Sequence, residues 1–371
     1  MSDKTDWLKS ASLTRLSENS LAATPFRDSL WRLMRGESLS QTEAADFLRI
    51  SIDRENANSE QIAGALIALA VKGETAEELA GMATVMRERS APFETRNKNF
   101  IDIGGTGSSA TKTFNVSTAA AFVIAGAGLP VAKYARRRVI SNTGSIEVLE
   151  QLGVRLNYKN DDGGEVKTRE TAQASFNGAG IGFLSALAYQ NGVNSIFEIH
   201  RRLGVRTSFN LLGTLANPAR PPFQIVGVWH KSLLEPMANA LNLLGVKRAW
   251  IVLGADGLDE ITLSRETFVA EVSNGSVNTF TIEPEDFGFQ RASIEKLKVK
   301  NAAESAQIIK DVLASKRRDE ARSMVILNAA AAIYVGGLAK TEIQAARLAE
   351  QSIDSDSARI KLERLIMTTN K

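Results

Sequence analysis

After Pro92, short β-rich runs alternate with helical runs, and this alternation constrains the fold more than any other feature of the sequence. The predicted strands lie at residues 100–103, 130–134, 180–184, 224–228 and 249–253. Predicted helices between them include residues 115–127, 145–152 and 232–244. Such alternation is typical of a mainly parallel sheet covered by helices. The sequence therefore predicts an α/β domain over residues 93–371.

The residues before Pro92 show only helical patterns. Ser40 with Glu43 and Thr75 with Glu78 fit the capping box at a helix start. An apolar stripe with three- and four-residue spacing indicates a further helix, which Ser59 could cap; it contains Ile62, Ala65, Leu66, Leu69 and Ala70. We predict a polar N-terminal arm over residues 1–25 and a helical packing domain over residues 26–92.

Two further patterns occur in the second half of the chain. Residues 267–272 and 276–282 are β-rich, and Asn274-Gly275 between them predicts a hairpin. Helical patterns then resume at about residue 302 and continue to the C-terminus.

Composition excludes several classes of function. The 371 residues include no cysteine and only His200 and His230, so thiolate chemistry and a histidine-rich metal site are excluded. Any metal must sit on carboxylates, hydroxyls and phosphate oxygens, which indicates magnesium. The net charge of +3 is too small to indicate a nucleic-acid binder. Apolar runs are too short to span a membrane and no signal peptide is visible, so we expect a cytoplasmic protein.

A glycine-rich turn follows the first predicted strand. Gly104, Gly105 and Gly107 can take positive φ and let backbone N–H groups approach a ligand closely. The next helix follows good N-cap residues, namely Asn115, Ser117 and Thr118. Free N–H groups that lead into a helix N-terminus bind phosphate readily. A tight turn without a ligand is the alternative.

An acidic pair, Asp259 and Glu260, follows the predicted strand at residues 249–253. The carboxyl ends of parallel strands are where α/β proteins place ligands. Two adjacent carboxylates suit a magnesium ion carried by a polyphosphate. A solvated acidic turn is the alternative for this pair.

Together these segments resemble the anthranilate phosphoribosyltransferase family. The resemblance runs from about Phe26 to the C-terminus and rests on nine segments: residues 72–78 (KGETAEE), 102–107 (DIGGTG), 113–118 (TFNVST), 131–133 (VAK), 210–213 (NLLG), 217–218 (NP), 257–260 (GLDE), 284–288 (PEDFG) and 327–329 (LNA). It implies a helical domain, completed by an inserted segment at about 187–218, that packs on the α/β domain and forms a homodimer.

The resemblance also implies two substrates and a metal. It implies that phosphoribosyl pyrophosphate (PRPP) binds to Gly105, Thr106, Gly107, Ser109, Thr113, Asn115, Ser117, Thr118, Lys133 and Ser145. Two magnesium ions are expected, one near Ser117 and one held by Asp259 and Glu260. The second substrate is an aromatic amine, and binding of nucleic acid is not expected.

Departures from the family pattern concentrate on the acceptor side. The family asparagine that touches the acceptor falls at Arg136, its paired histidines fall at Tyr189 and Gln190, and its carboxylate-binding arginine falls at His200. Other positions assigned to the acceptor are Tyr134 and Thr214. On the donor side, Ser109 replaces an aspartate. Arg136 with Arg137 and Arg138 could contact an anionic acceptor or pyrophosphate, or could form a solvated basic loop.

Three interpretations of function follow. The preferred one is a magnesium-dependent transfer of the phosphoribosyl group of PRPP to the nitrogen of an anthranilate-like aromatic amine. The second keeps anthranilate itself as the acceptor, in tryptophan synthesis. The third is a non-catalytic paralogue that binds nucleic acid or protein. Intact Lys133, Asp259 and Glu260 argue against the third, because a binding module has no need of magnesium ligands.

Overall fold

Helices form the first part of the protein. The computed structural model describes residues 25–53, 57–107, 113–135, 144–156, 164–190 and 192–371. Its first elements are α1 (Pro25–Met34), α2 (Gln41–Asp53), α3 (Ser59–Lys72) and α4 (Ala76–Arg89). The predicted N-terminal arm, residues 1–25, lies almost entirely outside the described residues.

Both predicted capping boxes are confirmed. Ser40 and Glu43 each bond to the other's backbone N–H before α2, and Thr75 and Glu78 do the same before α4. Each exchange satisfies N–H groups that have no partner inside the helix.

At α3 the predicted cap is wrong by one residue. Asn58, not Ser59, occupies the N-cap, and its Oδ1 accepts from Gln61 N at 2.8 Å. The Gln61 side chain accepts in turn from Asn58 N at 3.1 Å. Asn58 has an extended backbone, whereas Ser59 is already helical, so only Asn58 is placed to reach the third helical N–H.

A seven-stranded sheet in the order β3-β2-β1-β4-β5-β6-β7 forms the centre of the α/β part. The strands are β1 (Ile101–Gly105), β2 (Val131–Ala135), β3 (Ile181–Ser185), β4 (Phe223–Gly227), β5 (Arg248–Gly254), β6 (Thr267–Ser273) and β7 (Ser276–Ile282). β1 to β5 pair in parallel and β6 and β7 are antiparallel. The predicted mainly parallel sheet is confirmed, with strand ends within two residues of those expected.

Helices connect these strands and follow them. They are α5 (Val116–Gly126), α6 (Ser145–Gln151), α7 (Gly164–Ala179), α8 (Ala186–Tyr189), α9 (Asn194–Leu203), α10 (Ser208–Leu215), α11 (Leu234–Leu243), α12 (Ala302–Leu313), α13 (Glu320–Val335), α14 (Glu342–Asp354) and α15 (Ser357–Thr369). The predicted helices at 115–127, 145–152 and 232–244 correspond to α5, α6 and α11, the last preceded by a 3₁₀ turn at Lys231–Leu233.

The predicted hairpin is confirmed as β6 and β7. Asn274 and Gly275 have φ of 51° and 77°, so both central residues of the turn have positive φ. This is the turn whose twist matches the flanking strands.

The two faces of the sheet pack against different sets of helices. Trp250 and Val252 belong to a core that includes residues of α5 and of α12 to α15. Ile251, between them, belongs to a second core with residues of α1 to α4 and of α9 to α11. Helices α9 and α10, which lie in the segment at 187–218, therefore share a core with the N-terminal helices. The domain boundaries themselves stay a prediction.

Helices α2 and α4 approach each other closely at Gly81. A Cβ at this position would lie 2.1 Å from the carbonyl oxygen of Gln41 and 3.1 Å from Ala45 N. Backbone atoms cannot move aside cheaply, so we expect Gly81→Ala to destabilise the protein by about 1–3 kcal/mol. Gly178→Ala in α7, where a Cβ would meet nothing within 4 Å, is the control and should be neutral or slightly stabilising. Thermal unfolding measures both; equal melting temperatures would contradict the close approach.

Candidate active site

The candidate residues meet at the carboxyl edge of the parallel strands. β1 lies between β2 and β4, so the chain changes direction across the sheet at β1. Ligands of open α/β sheets bind at such a point, beyond the ends of the strands. The glycine-rich turn that follows β1 and the acidic pair that follows β5 both lie there.

The glycines of this turn act mainly by lacking a side chain. β1 extends to Gly105, so Gly104 and Gly105 are strand residues, and only Gly107 has positive φ, of 70°. Of these three glycines, Gly107 is the one that uses its freedom to take positive φ. A Cβ on Gly105 would lie 2.5 Å from Asp259 Oδ2. Gly105 is needed because the Asp259 carboxylate packs directly on the strand.

A second glycine, Gly227 at the end of β4, makes the same approach possible. A Cβ added at Gly227 would lie 1.7 Å from the carbonyl oxygen of Asp259. Gly107 N donates to Asp259 Oδ2 at 3.0 Å, and Thr106 N donates to Gly227 O at 2.9 Å. Sequence reasoning missed Gly227, because the contact joins strands that are distant in the chain.

Lys133 lies inside this edge of the sheet and is only 3% exposed. Its Nζ donates to the carbonyl oxygen of Ile103 and, at 3.2 Å, to Ser117 Oγ. Burial lowers the pKa of Lys133, and the carboxylates of Asp102, Glu260 and Asp259 oppose that shift. The ammonium is thus bonded to β1 and to α5 and lies close to the carboxylates of the acidic pair.

Glu260 lies beside Asp259 and accepts a hydrogen bond from Thr113 Oγ1 at 3.3 Å. Burial and then repulsion from Asp259 raise the pKa of Glu260 to about 8. Two carboxylates that repel one another next to hydroxyl groups match the oxygen ligands of magnesium. No group of three or more His, Cys, Asp or Glu side chains that could hold a metal occurs in the described part of the chain. The residues therefore fit a magnesium ion that takes its other ligands from phosphate and water.

Three other predicted phosphate ligands lie near the start of a helix. Asn115 is the N-cap of α5, but its side chain makes no capping bond and its Oδ1 accepts from Ser305 Oγ at 3.0 Å. Thr118 is fully buried and its hydroxyl has no hydrogen-bond partner among the described residues. Ser145 is the first residue of α6. Their roles stay predictions.

Two predicted contacts lie outside the described residues. Ser109 follows the described part of the glycine-rich turn, and Arg136, with Arg137 and Arg138, follows β2. Their assignments to PRPP and to the acceptor stay predictions.

Three of the predicted acceptor residues lie near the ends of β2 and β3. Tyr189 is buried with Phe93, and Tyr134 packs against the same cluster. The Tyr189 hydroxyl donates to Arg169 O at 3.4 Å. Gln190, the next residue, donates through Nε2 to Ser90 Oγ at 2.8 Å and to Ala216 O at 3.3 Å. Tyr134 and Tyr189 therefore share one cluster, with Gln190 next to Tyr189 in the chain, and their contact with an acceptor stays a prediction.

The other two predicted acceptor residues lie on α9 and α10. His200 is buried beside Phe197 and Phe209, and its Nδ1 lies 2.9 Å from Thr207 Oγ1. Thr214 Oγ1 donates to Leu211 O at 2.8 Å. These contacts hold the two side chains within the helical segment, and their contact with an acceptor stays a prediction.

Sequence reasoning also missed Arg87, at the end of α4. The side chain is buried, and its Nε donates to Leu215 O at 2.8 Å. Burial, together with repulsion from Arg220, lowers its pKa to about 10. One terminal nitrogen of Arg87 and Oε1 of Gln190 are buried without a hydrogen-bond partner in the described part of the protein. Arg87 and Gln190 thus donate to the consecutive carbonyl oxygens of Leu215 and Ala216, and each side chain keeps one further buried polar atom without a partner among the described residues.

Two family models match consecutive parts of the chain. The glycosyl transferase family, helical bundle domain, matches residues 27–90. The glycosyl transferase family, a/b domain, matches residues 97–359.

Proteins of similar length match across most of the chain. The anthranilate phosphoribosyltransferase of Persephonella marina is 38% identical over 335 residues, which cover 90% of this chain and 96% of that protein. The anthranilate phosphoribosyltransferase of Desulfosudis oleivorans is 41% identical over 344 residues, which cover 93% and 98%.

Solved structures agree with these matches. The crystal structure of anthranilate phosphoribosyltransferase from Thermus thermophilus superposes with a TM-score of 0.84 at 32% identity, covering 93% of this chain and all of that one. The Saccharomyces cerevisiae enzyme in complex with PRPP and Mg gives a TM-score of 0.81 at 26% identity, covering 93% of this chain and 98% of that one. Sequence, fold and the arrangement of the site thus lead to one conclusion: this chain belongs to the anthranilate phosphoribosyltransferase family of glycosyl transferases.

Proposed function

We propose that this protein is a magnesium-dependent phosphoribosyltransferase that transfers the phosphoribosyl group of PRPP to the nitrogen of an anthranilate-like aromatic amine. The observation that carries the proposal is that the buried ammonium of Lys133, which donates to Ile103 O and Ser117 Oγ, lies close to the carboxylates of Asp259 and Glu260. A buried cation beside two adjacent carboxylates suits a ligand with several phosphate charges and its metal. A family member has been solved with PRPP and Mg, which supports the same ligands here.

The donor half of the site would hold the diphosphate of PRPP. Lys133 would supply a positive charge to it, and the N–H group of Gly107 would donate to one of its oxygens. Asp259, Glu260 and Ser117 would hold two magnesium ions, which neutralise charge on the departing pyrophosphate when they are bound. Gly107 N donates to Asp259 in the structure, so phosphate would have to replace that carboxylate as the acceptor of the bond.

The acceptor half would hold an arylamine in line with C1 of the ribose. A bond forms between the amine nitrogen and C1, the bond from C1 to pyrophosphate breaks, and the amine loses a proton. That proton becomes acidic as the new bond forms, so positioning contributes more than a general base. A chain with only two histidines is compatible with this chemistry.

The substituted residues support an acceptor that differs from anthranilate. Gln190 directs its amide nitrogen to Ser90 and Ala216, and His200 is bonded to Thr207. The side chains at a family histidine position, Gln190, and at the position of the carboxylate-binding arginine, His200, are thus bonded to other parts of the protein. The unpaired nitrogen of Arg87 and Oε1 of Gln190 offer one donor and one acceptor nearby. We therefore propose an aromatic amine whose polar groups are arranged differently from those of anthranilate.

The helical part would form the interface of a homodimer. Val71 on α3 is 83% exposed, and Ile67 on the same helix and Met34 at the end of α1 are also exposed. Exposed apolar side chains on neighbouring helices are typical of a subunit interface.

In the described residues, none of the helices has the length and apolar character required to cross a membrane.

A screen of aromatic amines tests the proposed function. With PRPP and magnesium, at least one amine should release pyrophosphate at a kcat/KM of about 10⁴ M⁻¹s⁻¹ or more, whereas anthranilate should fall well below that value. Two or three polar groups left unpaired when anthranilate binds, at roughly 1–3 kcal/mol each, would account for such a loss of kcat/KM. Efficient turnover of anthranilate would show that the ordinary acceptor site has been rebuilt, and no turnover of any amine would favour a non-catalytic protein.

The acidic pair gives a second prediction. Asp259→Asn with Glu260→Gln should lower magnesium-dependent turnover by a factor on the order of 10² or more, since the metal would lose both carboxylates. The exposed adjacent pair Glu285 and Asp286, changed to Gln and Asn, is the matched control and should leave turnover unchanged. Similar activity of both double variants would remove the metal role from Asp259 and Glu260.

Neighbouring glycines give a third prediction. Gly105→Ala would push against the Asp259 carboxylate, whereas a Cβ on Gly104 would meet Lys133 Nζ at 3.5 Å, an ordinary contact. We expect Gly105→Ala to weaken binding of magnesium pyrophosphate by about tenfold or more, because small displacements of binding groups are costly. Gly104→Ala should change it much less. Calorimetric titration of both variants measures this, and equal affinities would contradict the proposed place of Asp259.

A further inference from the structure

β1 and β2 pair by backbone hydrogen bonds only at their first residues. Their parallel ladder registers Ile101 with Val131, whereas β1 and β4 remain in register from Ile101 and Phe223 to Gly105 and Gly227. Beyond Ile101, the backbone of β2 therefore needs other partners on the side that faces β1. Buried backbone N–H and C=O groups are nearly always paired, so these partners have to come from side chains.

Asp102 and Asn217 supply those partners. Asn217 Nδ2 donates to Ala132 O at 2.9 Å, and Asp102 Oδ1 accepts from Tyr134 N at 3.2 Å. The two side chains also bond to each other, from Asn217 Nδ2 to Asp102 Oδ2 at 2.8 Å. Asn217 is fully buried and Asp102 nearly so. A carboxylate and an amide thus take the place of the missing part of the ladder.

The position of Lys133 follows from this arrangement. Lys133 lies between Ala132 and Tyr134, the two residues of β2 that Asn217 and Asp102 hold. Side chains alternate along a strand, so the side chain of Lys133 points to the face of the sheet opposite to the side chains of Ala132 and Tyr134. There its Nζ donates to the carbonyl oxygen of Ile103 in β1 and to Ser117 Oγ. A shift of β2 towards β1 would therefore move the ammonium.

We propose that Asn217 and Asp102 are positioning residues, which hold β2 at the distance from β1 at which Lys133 meets the diphosphate of the substrate. This inference rests on the proposed function for the identity of the ligand. It assigns a role to the Asn-Pro segment at 217–218, and neither Asn217 nor Asp102 touches the ligand itself.

Asn217 also ties its loop to itself and to the acceptor half. Its Oδ1 accepts from Ala219 N at 2.9 Å, and the two carbonyls before it, Leu215 and Ala216, accept from Arg87 and Gln190. Removing the amide would therefore leave Ala132 O and Asp102 Oδ2 without this donor. A buried carboxylate that loses a donor will pull in water or move, and either change displaces β2.

A double-mutant cycle with Lys133 tests the proposal. Inorganic pyrophosphate in the presence of magnesium is titrated calorimetrically into the unchanged protein, Asn217→Ala, Lys133→Ala and the double variant. We expect Asn217→Ala to weaken pyrophosphate binding by about tenfold, and to have no further effect once Lys133 is replaced. In turnover assays, KM for PRPP should rise by about the same factor.

Two further variants separate positioning from general stability. Ser352→Ala removes another buried hydrogen bond, to Val123 O, and should lower the melting temperature without changing pyrophosphate affinity. Asp102→Asn keeps the side-chain volume and the hydrogen bond from Tyr134 N, but its amide nitrogen would face the amide nitrogen of Asn217. This variant should therefore lose pyrophosphate affinity as Asn217→Ala does. It provides the same test if Asn217→Ala does not fold.

Independent, additive losses from Asn217→Ala and Lys133→Ala would overturn the proposal, and so would an unchanged pyrophosphate affinity in both Asn217→Ala and Asp102→Asn. Binding of pyrophosphate with the expected cycle, but without turnover of any amine, would contradict the proposed function alone. Absence of pyrophosphate binding by the unchanged protein would contradict both.

Discussion

The buried ammonium of Lys133 is the constraint on which the rest of the site depends. Removing a charge from water is costly unless it is paired and hydrogen-bonded. Here the carbonyl oxygen of Ile103 and the hydroxyl of Ser117 accept from Nζ, and the carboxylates of Asp259 and Glu260 lie close enough to favour its charged form. Those partners come from β1, α5 and the loop after β5. Satisfying one cation therefore fixes the relative positions of three separate parts of the chain.

The acidic loop reaches Lys133 only because two strands end in glycine. Gly105 and Gly227 leave room for the Asp259 side chain and backbone, which would otherwise meet a Cβ at 2.5 and 1.7 Å. Close backbone packing places the carboxylates of Asp259 and Glu260 at the carboxyl edge of the sheet. Burial and mutual repulsion then raise the pKa of Glu260 to about 8, so a metal cation at this place would stabilise the ionised pair.

Both halves of the site contain buried polar atoms without a partner among the described residues; in the donor half, this is the hydroxyl of Thr118. Lys133, Asp102 and Asn217 are each bonded to several partners. On the acceptor side, one nitrogen of Arg87 and Oε1 of Gln190 are buried without a partner among the described residues. Unpaired buried polar atoms are costly, and they discriminate between ligands that satisfy them and ligands that do not. Arg87 and Gln190 are therefore expected to contribute to discrimination between acceptors.

Local patterns in the sequence determined the elements of this fold. The strands, the hairpin turn at Asn274-Gly275 and two capping boxes depend on residues close together in the chain, so periodicity and turn chemistry were sufficient to predict them. It was the resemblance to the family that implied one site for the acidic pair and the glycine-rich turn; in the structure, Gly107 N donates to Asp259 Oδ2. What local patterns could not provide was the backbone angle at Gly104 and Gly105 or the cap at Asn58.

Only the tertiary structure decided the contacts between distant parts of the chain. The need for glycine at 227 appears only when the loop after β5 packs on β4. Asn217 and Asp102 are far apart in sequence, and their shared role depends on a gap between β1 and β2 that no local pattern encodes. The sequence determined which residue types were available for a phosphate and metal site. Packing of the strands decided which of them meet, because contacts between strands depend on register and spacing across the whole sheet.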